Sequence, residues 1–180
     1  MKFLITSLLA AATLTSASPV TRQTIEGFPP NCLSYARAQY IIEREIAYLR
    51  KADLADARAA GEELFAADFV QYGDSINSLR GDPVGTLVEP DGATYVNNTL
   101  SSPPIRGINS LAMIHNCTHI FWQWQFIGIG GPTAPNTIKG FTLLTVDNTR
   151  AEKPVVEQYV EFNSLAWAQN IGYTIEPPAE

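Results

Sequence analysis

Two histidines, His115 and His119, are the only ones in the 180-residue sequence, and histidine is the natural acid/base near neutral pH. They flank Cys117 in the run His115-Asn116-Cys117-Thr118-His119. On a helix a four-residue spacing would bring both to one face, but this stretch reads as turn and strand. A metal would need more ligands than the run supplies, all the more so if Cys117 is bridged. No metal site and no cofactor are expected, and His119 stands as a candidate base beside the plainer account of a solvent-facing histidine. Asp74 follows Tyr72 at the end of a predicted strand. An aspartate with a neighbouring tyrosine can abstract a proton next to a carbonyl if burial raises the acid's pKa. Gly73-Asp74-Ser75 is equally the composition of a turn. Glu157, Tyr159 and Glu161 alternate along one strand face, which suits either a pair of pocket acids or a solvated surface. The candidates for catalysis are therefore His119, Asp74, Tyr72 and Glu161.

A second group is aromatic. Ile120, Trp122, Trp124 and Phe126 recur at every second position, so they share one face of a strand, with His119, Phe121, Gln123 and Gln125 on the other. Such a stripe either packs a sheet against helices or walls a pocket for an apolar, ring-shaped ligand. Trp122, Trp124, Phe126 and Tyr159 are the candidate ligand contacts. Other chemistry has no anchor. Gly128, Gly130 and Gly131 run into Pro132 with no following Lys-Ser/Thr, which excludes a phosphate loop. No Gly-x-Ser-x-Gly elbow is present.

The elements that must position these residues follow from periodicity. Ala38, Ile41, Ile42, Ile46 and Leu49 fall at helical spacing behind Ser34, a plausible N-cap. A second helix is predicted from behind Asp53 to about Ala66, weakened by Gly61. Asp68 to Tyr72 alternates as a strand, and Ser75 to Leu79 reads as its short continuation. Residues 81–104 are rich in turn signals, with a short helix over Ala93 to Leu100. Strands are predicted at Ile108–Ile114, Thr118–Ile127, Lys139–Val146 and Val155–Phe162, and a last helix at Ser164–Asn170 behind Asn163. Helices followed by a run of strands joined by short connections give the α+β class.

The N-terminus has the three parts of a secretory signal: Lys2, an apolar run from Phe3 to Leu14, and small residues to Ala17. That run is too short to span a bilayer as a helix. Cleavage after Ala17 would leave 163 of the 180 residues with 18 acidic and 11 basic side chains, a net charge of −7. With no basic cluster, nucleic acid and anionic membrane surfaces are poor partners. In an oxidising compartment, Cys32 and Cys117 are expected to form a disulfide, which the chain-entropy model values at roughly 4–5 kcal/mol. Asn97-Asn98-Thr99 and Asn116-Cys117-Thr118 are glycosylation sequons, so Asn97 and Asn116 are candidate acceptors. The organisation expected is a signal peptide over 1–17, an extended lead-in over 18–31, one domain over 32–175 and a tail over 176–180. The protein is expected to be secreted.

Residues 32–175 resemble the nuclear transport factor 2-like superfamily, which includes the SnoaL-like proteins. The resemblance is carried by Glu62–Tyr72, a helix running into a strand, by the long strand holding Trp122 and Trp124, and by Glu157–Trp167 at the end. With Cys32, Asp74-Ser75-Ile76-Asn77 and His115-Asn116-Cys117, the chain is similar to secreted fungal members of the group. The resemblance implies N-terminal helices packed on a strongly curved antiparallel sheet, together forming a cone with an apolar internal pocket. It implies either a non-catalytic protein that binds a small apolar molecule or a partner, or a cofactor-independent lyase or isomerase working by proton transfer. Sheets of this superfamily often pair, so a homodimer through the sheet is a further expectation.

Overall fold

The first helix, α1 (Tyr35–Arg50), begins where Ser34 caps it, its hydroxyl accepting from the Arg37 amide at 3.2 Å. Its inward stripe is Ala38, Ile41, Ile42, Glu45 and Tyr48, one carboxylate among apolar residues. Asp53 caps α2 (Leu54–Leu64) in the same way, and α2 runs directly into strand β1 (Phe65–Tyr72). There follow α3 (Asp74–Arg80), β2 (Leu87–Glu89), α4 (Gly92–Ser101), β3 (Gly107–His115), β4 (His119–Ile127), β5 (Ile138–Val146), β6 (Val155–Phe162) and α5 (Ser164–Asn170). In this computed structural model the described residues are 31–176. The expected signal peptide 1–17, the lead-in up to residue 30 and tail residues 177–180 lie outside them.

The six strands form one sheet in the order β2-β1-β6-β5-β4-β3. The α+β architecture, helices on a sheet with an internal cavity, is the one expected. The sheet is mixed rather than wholly antiparallel, because β1 runs parallel to β6 while every other pair is antiparallel. The chain satisfies the long crossover that a parallel pair requires by placing β2 to β5 between the two partners in sequence.

Two local expectations are corrected. Ser75–Leu79 is the body of α3, not a strand. Its N-terminal amides find an acceptor in a distant side chain: Asp74 N–H and Ser75 N–H donate to the Glu161 carboxylate at 2.7 and 3.0 Å. Gly81, at φ +79°, then ends the helix in the left-handed region. A cap supplied from 86 residues away leaves no local signal. The three-residue strand β2 was also hidden within a turn-rich stretch; it pairs with β1 through Gln71 and Glu89.

The core lies between α1, α2, α4 and one face of the sheet. Ile120, Trp122, Trp124 and Phe126 of β4 are all buried on that face, as are Ile138, Thr142 and Leu144 of β5. A disulfide joins Cys32 to Cys117, and Leu33 N–H donates to the Cys117 carbonyl at 3.1 Å, so the start of α1 is fastened to the β3–β4 turn. No helix among the described residues is long and apolar enough to cross a membrane.

Candidate functional site

The inner face of the sheet does not fill completely. A cavity of about 320 Å³ remains between the sheet and the helices. Its walls come from five strands and from the helices above them: Trp124 and Phe126 of β4, Thr142 of β5, Gln158, Val160 and Phe162 of β6, Gln71 of β1 and Glu89 of β2. Ile76 and Leu79 of α3, Leu49 of α1, Tyr95 of α4, and Trp167 of α5 close it from the other sides. Arg80, Asn98, Ser102 and Ile171 line it while remaining exposed, so they mark its rim.

Trp124 owes its position to a glycine. Gly140 is its cross-strand neighbour on β5, and a Cβ there would meet Trp124 Cη2 at 2.5 Å and Phe162 Cβ at 2.7 Å. The missing side chain lets the indole lie flat against the sheet. Its ring stacks on Phe126 with centroids 3.7 Å apart, and its Nε1 donates to the Thr142 hydroxyl at 2.9 Å. That hydrogen bond satisfies a donor that burial would otherwise penalise.

One row of polar side chains crosses the otherwise apolar interior. Register pairs Glu89 with Gln71 and Gln71 with Gln158, and Glu45 reaches the same row from α1. All four are at most 5% exposed. Gln71 Nε2 donates to Gln158 Oε1 at 2.7 Å, and Gln158 Nε2 donates to Glu45 Oε1 at 2.7 Å. The chain stops there, because Glu45 Oε2 is buried with no partner among the described residues. Burial pushes the Glu45 carboxyl up to about 8, against the smaller opposing pull of the Gln158 hydrogen bond. At neutral pH the acid is mainly protonated. Glu89 is placed differently: Arg80 Nη2 donates to its Oε1 at 2.8 Å and Asn98 Nδ2 to its Oε2 at 2.8 Å. Burial also raises the Tyr95 phenol well above its ordinary value.

The residues singled out from sequence divide between the two faces. Trp124 and Phe126 line the cavity. Trp122 is buried on the same face, with its Nε1 donating to Ser110 Oγ at 2.7 Å, but it is not part of the cavity wall. Tyr159 and Tyr72 stack on each other at 4.8 Å on the opposite, outer face. Glu161 caps α3, and Asp74 Oδ1 accepts from Gly85 N–H at 2.6 Å. His119 lies at the start of β4, its Nδ1 2.8 Å from Thr118 Oγ1. None of His119, Asp74, Tyr72 and Glu161 lines the cavity. Asn97 and Asn116 are both exposed, and Asn116 Oδ1 accepts from the Thr118 and His119 amides.

Sequence reasoning passed over Glu45, Gln71 and Gln158. Each carried a signal. Glu45 is a lone acid three and four residues after Ile42 and Ile41, on the apolar stripe of its helix. Gln158 sits between Val156 and Val160 on the inward face of β6, and Gln71 is two residues after the buried Phe69.

Residues 31–174 match the family model described as an NTF2-like domain. Among solved structures, the chain is similar to a proposed isomerase from Bacillus subtilis at 13% identity and a TM-score of 0.56, covering 77% of this chain and 94% of that one. It is similar to a proposed isomerase of the SnoaL-like family from Agrobacterium tumefaciens, at 8% identity and 0.51 over 71% and 98%. A third, of ketosteroid isomerase-like fold from Catenulispora acidiphila and solved with trimethylamine, has 14% identity and 0.51 over 74% and 93%. At these identities the likeness is one of fold. No curated protein matches the chain.

Proposed function

The chain belongs to the NTF2-like family, and from that premise we propose that it is a secreted pocket protein that binds a small, largely apolar molecule without turning it over. The observation that carries this reading is the cavity itself. It has aromatic and aliphatic walls, about 320 Å³ of space, and a single unsatisfied polar atom, Glu45 Oε2, in its lining residues. Aromatic and aliphatic walls crossed by one row of mostly paired polar side chains suit a small molecule with an apolar body. Trp124 and Phe126 are its ligand-facing walls. Secretion accords with the signal-like N-terminus and with the Cys32–Cys117 disulfide, and glycans at Asn97 and Asn116 would meet no burial obstacle.

The test is direct. A neutral apolar fluorophore such as N-phenyl-1-naphthylamine is titrated against the mature chain. Saturable one-to-one binding is expected, and Val160→Trp, which fills the cavity, abolishes it in a protein that still melts cooperatively. Unchanged binding to that variant would remove the cavity from the account.

A specific observation favours a second reading, a lyase or isomerase acting by proton transfer. Glu45 holds a carboxyl proton near neutral pH beside the cavity, the condition for a general acid or base. In this reading Glu45 takes the role that the sequence suggested for His119, Asp74, Tyr72 or Glu161. Solvent deuterium entering a bound ketone next to its carbonyl, and lost in Glu45→Gln, would support it.

The outer face suits a second copy of the chain. Phe121 and Phe141 stack at 5.4 Å and Tyr72 and Tyr159 at 4.8 Å, with Phe141 and Tyr159 about two-fifths exposed. Sedimentation of the wild type against Phe141→Lys tests a dimer through this surface.

A further inference from the structure

We propose that the cavity takes an organic cation, an apolar amine or quaternary ammonium, with its charge against Glu45 and its body along the aromatic wall. The proposal rests on the cavity being a ligand site and names the ligand's chemical class.

Three features carry it. The first is an acid with no counter-charge. Glu45 is 1% exposed, and its Oε2 has no partner among the described residues. The groups facing it are the amide of Gln158 from β6, Tyr95 from α4 and Tyr48 from its own helix, none of them cationic. The second is that the one basic side chain lining the cavity is already engaged. Arg80 pairs with Glu89 at 2.8 Å, so an anionic ligand would meet an acid at the floor and a neutralised guanidinium at the rim. The third is the aromatic lining. Trp124, Phe126, Phe162 and Trp167 line the cavity, with the Phe162 and Trp167 ring centroids 4.8 Å apart and Tyr95 near Glu45. Ring faces attract cations, most strongly where water is excluded.

The register sets the ligand's length. Gln158, Val160 and Phe162 share the inner face of β6 and line the cavity, so the Glu45 end and the Phe162 end are about 13 Å apart at the rise of an extended strand. An elongated molecule with its nitrogen at one end fits that span.

Proton balance makes the proposal measurable. A quaternary ammonium has no proton to exchange, so its binding must displace the Glu45 carboxyl proton into solvent. A neutral amine would instead take that proton and form the same ion pair. Burial holds Glu45 at about 8 in the empty protein. Apparent affinity for a quaternary ammonium therefore rises about tenfold per pH unit below 8 and levels above it.

The experiment titrates the full mature chain with 4-phenylbutyltrimethylammonium and with its uncharged isostere, carbon replacing nitrogen, following tryptophan fluorescence from pH 6 to 9. The expected result is a roughly hundredfold gain for the cation across that range, with the isostere flat. Calorimetry in buffers of different ionisation enthalpy should find one proton released at pH 7. Glu45→Gln should lose the cation's pH profile; if that variant does not fold, the wild-type profile decides alone. An isostere that binds as well as the cation, a flat profile for the cation, or a profile that survives in folded Glu45→Gln overturns the cation and leaves the pocket standing. Failure of both probes to bind overturns the pocket reading and the cation with it.

Discussion

Two glutamates, one on each side of the sheet, show how the same side chain becomes scaffold or site. Glu161 faces outward and both of its oxygens are engaged. It accepts from the Asp74 and Ser75 amides and from the Ser75 hydroxyl, which in turn bonds the Phe162 backbone. Those bonds start α3, and α3 supplies one wall of the cavity. Glu45 faces inward and receives a single hydrogen bond, from Gln158. Its second oxygen is buried at the cavity with no partner among the described residues. A carboxylate that holds backbone amides builds the structure, whereas one with an unspent oxygen in a cavity is available to a ligand. Position relative to the sheet, not residue type, separates the two.

The sharpest way to break this contrast is through pH. Glu45 is raised from 4.5 to about 8 by burial, so between those values the folded state keeps a proton that the unfolded state has released. Its contribution is fully present below pH 4.5 and is lost progressively up to pH 8, an effect on the order of 4–5 kcal/mol. Thermal melts of wild type and Glu45→Gln should diverge across that window, with the variant lacking the slope. Parallel curves would mean that Glu45 ionises freely and the inside–outside contrast fails.

Next in size is Gln158→Leu. It removes the donor to Glu45 and the acceptor for Gln71 at once, for an expected loss of about 2–3 kcal/mol. It should also raise the Glu45 carboxyl further, since that hydrogen bond lowers it, which a pH-dependent denaturant titration reads directly. Glu161→Gln weakens the charge-assisted cap of α3 and should cost about 1–2 kcal/mol while leaving the stability slope between pH 4.5 and 8 in place. If it instead removed that slope, the roles assigned to the two glutamates would have to be exchanged. The smallest effect is expected for His119→Ala. Its ring contacts a neighbouring threonine outside the cavity, so stability should move by less than about 0.5 kcal/mol and probe affinity not at all.

Much of the framework was legible because its signals are local. The caps at Ser34, Asp53 and Asn163 are short-range hydrogen bonds made by the expected residue types. The strand at Val155–Phe162 and the helix at Ser164–Asn170 have the bounds that alternation and capping predict. The alternation of Trp122, Trp124 and Phe126 gave their shared burial. What failed was long-range. α3 depends on Glu161, and β2 depends on Gln71 and its neighbours in β1. The site was the least legible part. Titratable residues near turns suggest catalysis by their types, whereas Glu45, Gln71 and Gln158 stand among apolar neighbours with no local motif to mark them.

By itself, the sequence determined the α+β class, the cysteine pair, the net negative charge and the aromatic stripe of β4, because each is a property of composition or of spacing along a single element. Only the tertiary structure decided that β1 lies parallel to β6. That pairing sets Gln71 beside Gln158 and brings both to Glu45. The physical reason is that a buried polar group is defined by what surrounds it. Glu45, Gln158 and Gln71 are separated by 113 and 87 residues along their two hydrogen bonds, and no pattern within one segment records a partner so far away.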